Sequence, residues 1–152
     1  MPAPCDWLLV RLEGFRSAYW EFAARDRGRN VLYPTDDGSL KLGKNYPYDK
    51  QHQSLTARVD AVAPNPLGLY MMSGGSTESV NDWYANDYYA NSPIKDPQGP
   101  PSGARKVARG SNMSETPWIS ANTVLRRSLA LQSDTDIFSD SFRCAIQRSK
   151  PL

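Results

Sequence analysis

Gly68-Leu69-Tyr70-Met71-Met72-Ser73-Gly74-Gly75-Ser76-Thr77-Glu78-Ser79-Val80-Asn81-Asp82-Trp83-Tyr84 is the stretch on which the reading of the chain turns. It follows Pro64-Asn65-Pro66, a rigid turn signal, because proline fixes φ and biases the residue before it away from helix. Gly74 and Gly75 permit backbone angles and close approaches that a Cβ forbids. Glu78 stands just past them, an acidic side chain in a position suited to a cation. The stretch closes on Trp83-Tyr84, and Tyr88-Tyr89 follow, a dense aromatic block in a chain with four Trp, eight Tyr and four Phe. Neither a helical nor a two-residue period runs through it. The expectation is a loop-rich element organised by backbone geometry, not a regular helix or strand.

Outward from this stretch, the 152 residues suit one domain that buries roughly 70% of its unfolded surface. The formal charge of +2, from 18 basic and 16 acidic residues, is too even to suggest a nucleic-acid or anionic-membrane partner. Mean hydropathy is −0.60, and no apolar run approaches the ~20 residues a membrane span needs. The start, Met1-Pro2-Ala3-Pro4-Cys5-Asp6, has no basic segment leading into an apolar one. Cytoplasmic localisation is the default expectation, and periplasmic if the natural N-terminus lies upstream.

On the N-terminal side, Cys5 to Leu12 reads as a short helix or buried strand. Ser17 is the expected N-cap of a helix through Arg27, with Glu21 early and Arg25 and Arg27 late, as the helix dipole favours. Trp20, Ala23 and Ala24 share its apolar face and Gly28 is its stop. From Gly28 to Pro66 the chain is polar and turn-rich, with one short strand expected around Val59, Ala61 and Ala63. On the C-terminal side, the segment from Asn91-Ser92-Pro93 to Gln98-Gly99-Pro100-Pro101-Ser102-Gly103 is an ordered surface loop or a linker. Strand-like pieces run from Lys106 to Arg109, Val124 to Leu131 and Phe142 to Ile146. The class is α+β with little regular structure, in keeping with 12 prolines and 10 glycines.

Sites of recognisable chemistry are scarce. The single histidine, His52, has no GxSxG nucleophile elbow near it, and phosphate-loop and dinucleotide glycine patterns are absent. No catalytic residue is assigned. Cys5 and Cys144 are either two buried reduced thiols or a terminus-to-terminus pair, whose long loop would stabilise by about 4–5 kcal/mol. With one histidine and no CxxC spacing, they make no zinc site.

Five segments in order resemble the formylglycine-generating (sulfatase-modifying) enzyme family. Cys5-Asp6-Trp7 with Arg11-Leu12 and Trp20-Glu21-Phe22 looks like the family's Cys-x-Trp…Arg-Leu-Pro-Thr-Glu-Ala-Glu-Trp-Glu-Tyr. The opening stretch is similar to Gly-Leu-Tyr-[Asn/Asp]-Met-x-Gly-Asn-x-Trp-Glu-Trp. Asp96 to Gly103 resembles Asn-Pro-x-Gly-Pro-Pro-Ser-Gly, and Lys106 to Ser111 resembles Arg-Val-x-[Arg/Lys]-Gly-Gly-Ser. Ser141-Phe142-Arg143-Cys144-Ala145 looks like the closing Gly-Phe-Arg-Cys-Ala. The resemblance implies a C-type-lectin-like α+β fold, with residues 1–152 a single domain resembling the family's C-terminal half. It also implies that Cys5 and Cys144 are neighbours, joined as a disulfide in secreted members.

The departures bear on function. The family's enzymes hold copper and activate oxygen with two cysteines in Gly-Gly-Ser-x-Met-Cys-x-x-x-x-Cys. Here the first position falls on Ser114 or Glu115 and the second on Ile119 or Ser120. Neither a hydroxyl nor a carboxylate replaces a soft thiolate for Cu(I). The family's calcium turn maps onto Gly74, Ser76 and Glu78, but Met71 stands where a hard oxygen ligand belongs. The residues then favour Glu78 bonded to backbone amides without metal. Calcium is the one candidate cofactor, and none is expected.

The function expected is a non-catalytic, pseudoenzyme-type binding module for a protein partner, for example an immunity or accessory protein of a bacterial secreted effector. Its expected surface is the loop from Asn112 to Thr123, with Asn112, Ser114, Trp118 and Asn122 as contacts and Trp118 as either anchor or core. The alternatives are a metal-dependent oxidoreductase of the sulfatase-modifying type, with iron sulfoxide synthases included, and a truncated relative without activity. A single histidine does not supply the iron triad of the sulfoxide synthases.

Overall fold

The computed structural model describes residues 16–47, 57–112, 115–130 and 140–143. Helix α1 (Ser17–Ala24) forms because Ser17, Trp20 and Ala24 fall on one face, and these are its buried residues. Its ends differ from those expected. Arg16 is the N-cap and has no side-chain cap, while the Ser17 N–H donates to Asp82 Oδ2 at 2.8 Å. A carboxylate delivered from across the fold thus satisfies the N–H of Ser17 itself, and the Ser17 hydroxyl accepts from Arg126 Nε at 3.3 Å. The helix stops at Ala24 because the chain turns left-handed at Asp26 (φ 44°), Arg27 (φ 62°) and Gly28 (φ 82°). The Gly28 N–H closes the end on Phe22 O, and Asn65 Nδ2 donates to Ala23 O at 2.9 Å. Arg27 therefore lies beyond the helix, and Glu21 is an interior residue of it.

Among the described residues, four strands build one sheet: β1 (Thr77–Trp83), β2 (Arg105–Arg109), β3 (Arg127–Ala130) and β4 (Asp140–Ser141), in the order β3-β2-β1-β4. β2 is antiparallel to both β1 and β3, and β4 runs parallel to β1. The register pairs Glu78 with Arg109 and Ser79 with Ala108, slips, and resumes at Trp83 with Lys106. β2 and β3 lie where strand-like pieces were expected. The third piece overlaps described residues only at Phe142 and Arg143, outside any strand, and its remainder is outside the described residues, as is Cys5 to Leu12.

β1 corrects the opening expectation, since the second half of the loop-rich stretch is a central strand. Glu78, Val80 and Asp82 share one buried face, and Thr77 is buried on the other. Burial of polar side chains hides the strand from any hydropathy period. The strand expected around Val59 is absent. Ala61 closes a turn on Arg58 O, and Val59 is exposed with no neighbouring strand to pair.

The core is small: Trp20, Ala24, Met72, Val80 and Val107, with Leu69 and Tyr84 packed against it. Fully buried Trp20 donates its indole N–H to Glu78 Oε2 at 2.8 Å and lies under the Arg109 guanidinium, whose carbon is 4.7 Å from the ring centroid. Replacing Trp20 separates the two contributions. Trp20→Ala is expected to cost about 3–5 kcal/mol by loss of packing. Trp20→Phe, which keeps a ring and removes the N–H, is expected to cost about 1–3 kcal/mol in urea unfolding. A neutral Trp20→Phe would mean that the bond to Glu78 adds no stability.

Candidate functional site

The turn between Leu69 and Thr77 is shaped by its backbone. Met71 has φ +51° and Gly74 φ +87°, and a Cβ on Gly74 would meet Pro47 at 2.8 Å and Tyr46 at 2.9 Å. Only glycine serves there. The Gly74 N–H donates to Ser111 O at 2.8 Å and to Ser111 Oγ at 3.2 Å, and Ser73 Oγ donates to Ala121 O. The Ser76 hydroxyl donates to Thr77 O. Glu78, at the start of β1, is buried and accepts from side chains where backbone amides were expected. Arg143 Nε reaches Oε1 at 2.7 Å and Oε2 at 2.8 Å, and Trp20 Nε1 reaches Oε2. Arg143 Nη2 continues to the carbonyls of Tyr70 (2.7 Å) and Met71 (2.9 Å). Burial pushes the Glu78 carboxyl up from its ordinary range, and Arg143 draws it back in part.

A second network carries the loop that follows β2. Arg109, wholly buried, donates to the carbonyls of Thr123, Val124 and Leu125 and to Glu21 Oε2. Burial lowers its pKa to about 10, and neighbouring Arg126 adds to the effect. Arg126 also pairs with Glu21 at 2.6 Å and stacks on Tyr89, while Arg127 pairs with Glu115 and donates to Gly110 O. These contacts hold the loop from both of its ends.

On that loop, helix α2 (Pro117–Ser120) begins with proline at its first position, where the missing N–H goes unneeded. It presents Trp118 and Ile119 outward, 60% and 69% exposed, so Trp118 is surface and not core. Exposed Leu32 and Val124 also belong to this side of the molecule, since Thr123 bonds Leu32 O and Tyr33 O–H reaches Trp118 O. Asn112 donates to Glu115, and its carbonyl accepts from Tyr46 O–H. Asn122 spends its side chain on its own loop, bonding Ile119 O and the N–H groups of Val124 and Leu125. Ser114, Cys5 and Cys144 lie outside the described residues. Among the described residues, no three His, Cys, Asp or Glu side chains converge as metal ligands would.

Asp82 was missed by sequence reasoning as a site residue. It is almost fully buried; its Oδ2 caps α1 while its Oδ1 has no hydrogen-bond partner. It lines a recess of about 350 Å³ with Arg16, Trp83, Gln98, Pro100 and Lys106. Lys106 Nζ sits 3.8 Å from the Trp83 ring centroid and donates to Asn81 O. Only the tertiary meeting of β1 with the 98–101 loop makes this recess. No local pattern announces it.

Residues 10–148 match the "Sulfatase-modifying factor enzyme 1-like domain" family. The chain is 33% identical over 141 residues to a formylglycine-generating enzyme of Streptomyces coelicolor, covering 84% of this chain and 44% of that protein. It is 32% identical over 143 residues to serine/threonine-protein kinase Pkn1 of Chlamydia trachomatis, covering 91% of this chain and 21% of the kinase. Among solved structures it resembles Treponema denticola variable protein 1 (TM-score 0.59, 28% identity, 75% of this chain and 40% of that one). PvdO from Pseudomonas aeruginosa shares the fold (TM-score 0.57, 23% identity, 75% and 45%). The chain therefore spans less than half the length of these proteins.

The buried carboxyl of Asp82 yields a pH prediction. Burial, opposed by the Ser17 N–H, raises its pKa. The stability it contributes is complete below its unfolded value and is lost as pH rises through the raised folded one. Asp82→Asn keeps an acceptor for Ser17 and removes that titration. Its urea midpoint should gain on the wild type between about pH 4 and about pH 7. A constant difference across that range would show that Asp82 titrates normally.

Proposed function

The chain belongs to the sulfatase-modifying factor enzyme 1-like family, and within it we propose a non-catalytic binding module that recognises a protein partner. The observation that carries this reading is the loop after β2. Where the family resemblance implies a copper-binding thiol pair, residues 110–123 contain no cysteine. In its place α2 offers Trp118 and Ile119 to solvent on a loop pinned at both ends by arginines. A rigid aromatic and aliphatic pair, held out at little entropic cost, has the form of an interface anchor. The match to part of a much longer protein named as a kinase supports use of this domain for purposes other than formylglycine formation. An immunity or accessory role beside a bacterial secreted effector is one setting that fits.

Two measurements test the reading. Purified protein loaded with Cu(I) and given a cysteine-containing sulfatase-type peptide should form no aldehyde, and turnover would overturn the proposal. So would stoichiometric copper or iron in protein isolated from its host. For the partner, affinity capture from the native host followed by titration should show that Trp118→Ala with Ile119→Ala weakens binding roughly 30-fold or more, as loss of a hot spot does. Undiminished binding by a folded double variant would place the interface elsewhere.

A further inference from the structure

The family resemblance implies a calcium ion held by the side chain at position 71, the carbonyls of Gly74 and Ser76, and Glu78. The residues present do not fit that ion, and we infer that the guanidinium of Arg143 is the resident cation of this turn, which makes the turn calcium-independent. This inference stands apart from the proposed binding role.

The geometry is specific. Calcium takes six to eight oxygens at about 2.3–2.6 Å, with carboxylates supplying most of the charge. Among the family's ligand positions in this turn, Glu78 is the one carboxylate, and both of its oxygens are engaged, by Arg143 Nε at 2.7 and 2.8 Å and by Trp20 Nε1 at 2.8 Å. Arg143 Nη2 reaches the Tyr70 and Met71 carbonyls at 2.7 and 2.9 Å. A carboxylate and two backbone carbonyls thus converge on one positive group, as they would on a metal. The guanidinium neutralises Glu78, so a dication added beside it would meet a positive neighbour. Met71 completes the mismatch. Its side chain is buried and folds over Gly75, with Cε 3.2 Å from the position a Cβ would take there, so a soft thioether covers the turn.

The pairing of Arg143 with Glu78 has a structural consequence. A metal ties together only the turn that binds it. Arg143 comes from the segment after β4, whose Ser141 Oγ donates to Thr77 O and whose backbone pairs with β1. One side chain therefore closes the turn and fastens the C-terminal strand to the sheet, with no dependence on the ions outside.

The test begins with the unmodified chain. After treatment with EDTA, its melting temperature should be the same with millimolar CaCl₂ or without it. A site filled at about 100 times its Kd would raise the midpoint by several degrees in a chain of this size. Such a rise, or calcium retained one-to-one in equilibrium dialysis, overturns the inference. Arg143→Gln should lower the midpoint of the calcium-free protein by several degrees, and Arg143→Lys should recover only part, because an ammonium lacks the planar fork. An Arg143→Gln variant as stable as the wild type would also overturn it. Should that variant fail to fold, the calcium comparison on the wild type still decides.

Discussion

A carboxylate taken out of water must find donors, because the cost of burying an unpaired charge reaches several kcal/mol. Glu78 occupies that position, at the first turn of β1 and beneath Trp20. Its partners come from places distant in sequence: Trp20 from α1 and Arg143 from the segment after β4. Meeting its demand fixes the angle of α1 on the sheet, the closure of the 69–77 turn and the seat of the parallel strand β4. Beside it, among the described residues, lie the apolar side chains of Trp20, Met72, Val80 and Val107, so polar pairing and apolar packing meet at this one place.

Arg109, the cross-strand neighbour of Glu78, applies the same physics to the loop after β2. Segments 28–47, 110–112 and 121–126 contain little regular structure, so their carbonyls lack ladder partners and must be satisfied otherwise. A guanidinium with five donors serves several carbonyls at once, and Arg109 takes those of Thr123 to Leu125 while holding Glu21. The network keeps a loop rigid while leaving its outer face unused. α2 projects Trp118 and Ile119 from that frame, and a change in what the outer face recognises need not disturb what the inner face supports.

Much of this was legible in the residues. Strong local signals were placed correctly: the apolar face of α1 with Gly28 beyond its end, and the β-prone runs that became β2 and β3. The misses share one cause. β1 was taken for a loop because its buried positions include Thr77, Glu78 and Asp82, and polarity disguised the alternation. The start of α1 was assigned to Ser17's own hydroxyl, whereas the cap arrives from Asp82, 65 residues away. The segment around Val59 has the composition of a strand, and it forms a turn with Ala61 bonded to Arg58 O. The Glu78 contacts were expected from nearby amides, and two distant side chains supply them.

By itself, the sequence determined the family, the α+β class with sparse regular structure, and the loss of cysteine from the segment where the resemblance places a thiol pair. Each is carried by residue identity and order, and needs no knowledge of distant contacts. Tertiary structure decided which groups meet. It set Arg143 against Glu78, Asp82 against the N-terminus of α1 and Trp118 against solvent. The first two depend on where a charge stands relative to a partner 65 residues away. The energy of a buried charge is set by its neighbours in space, and chain order alone does not encode it.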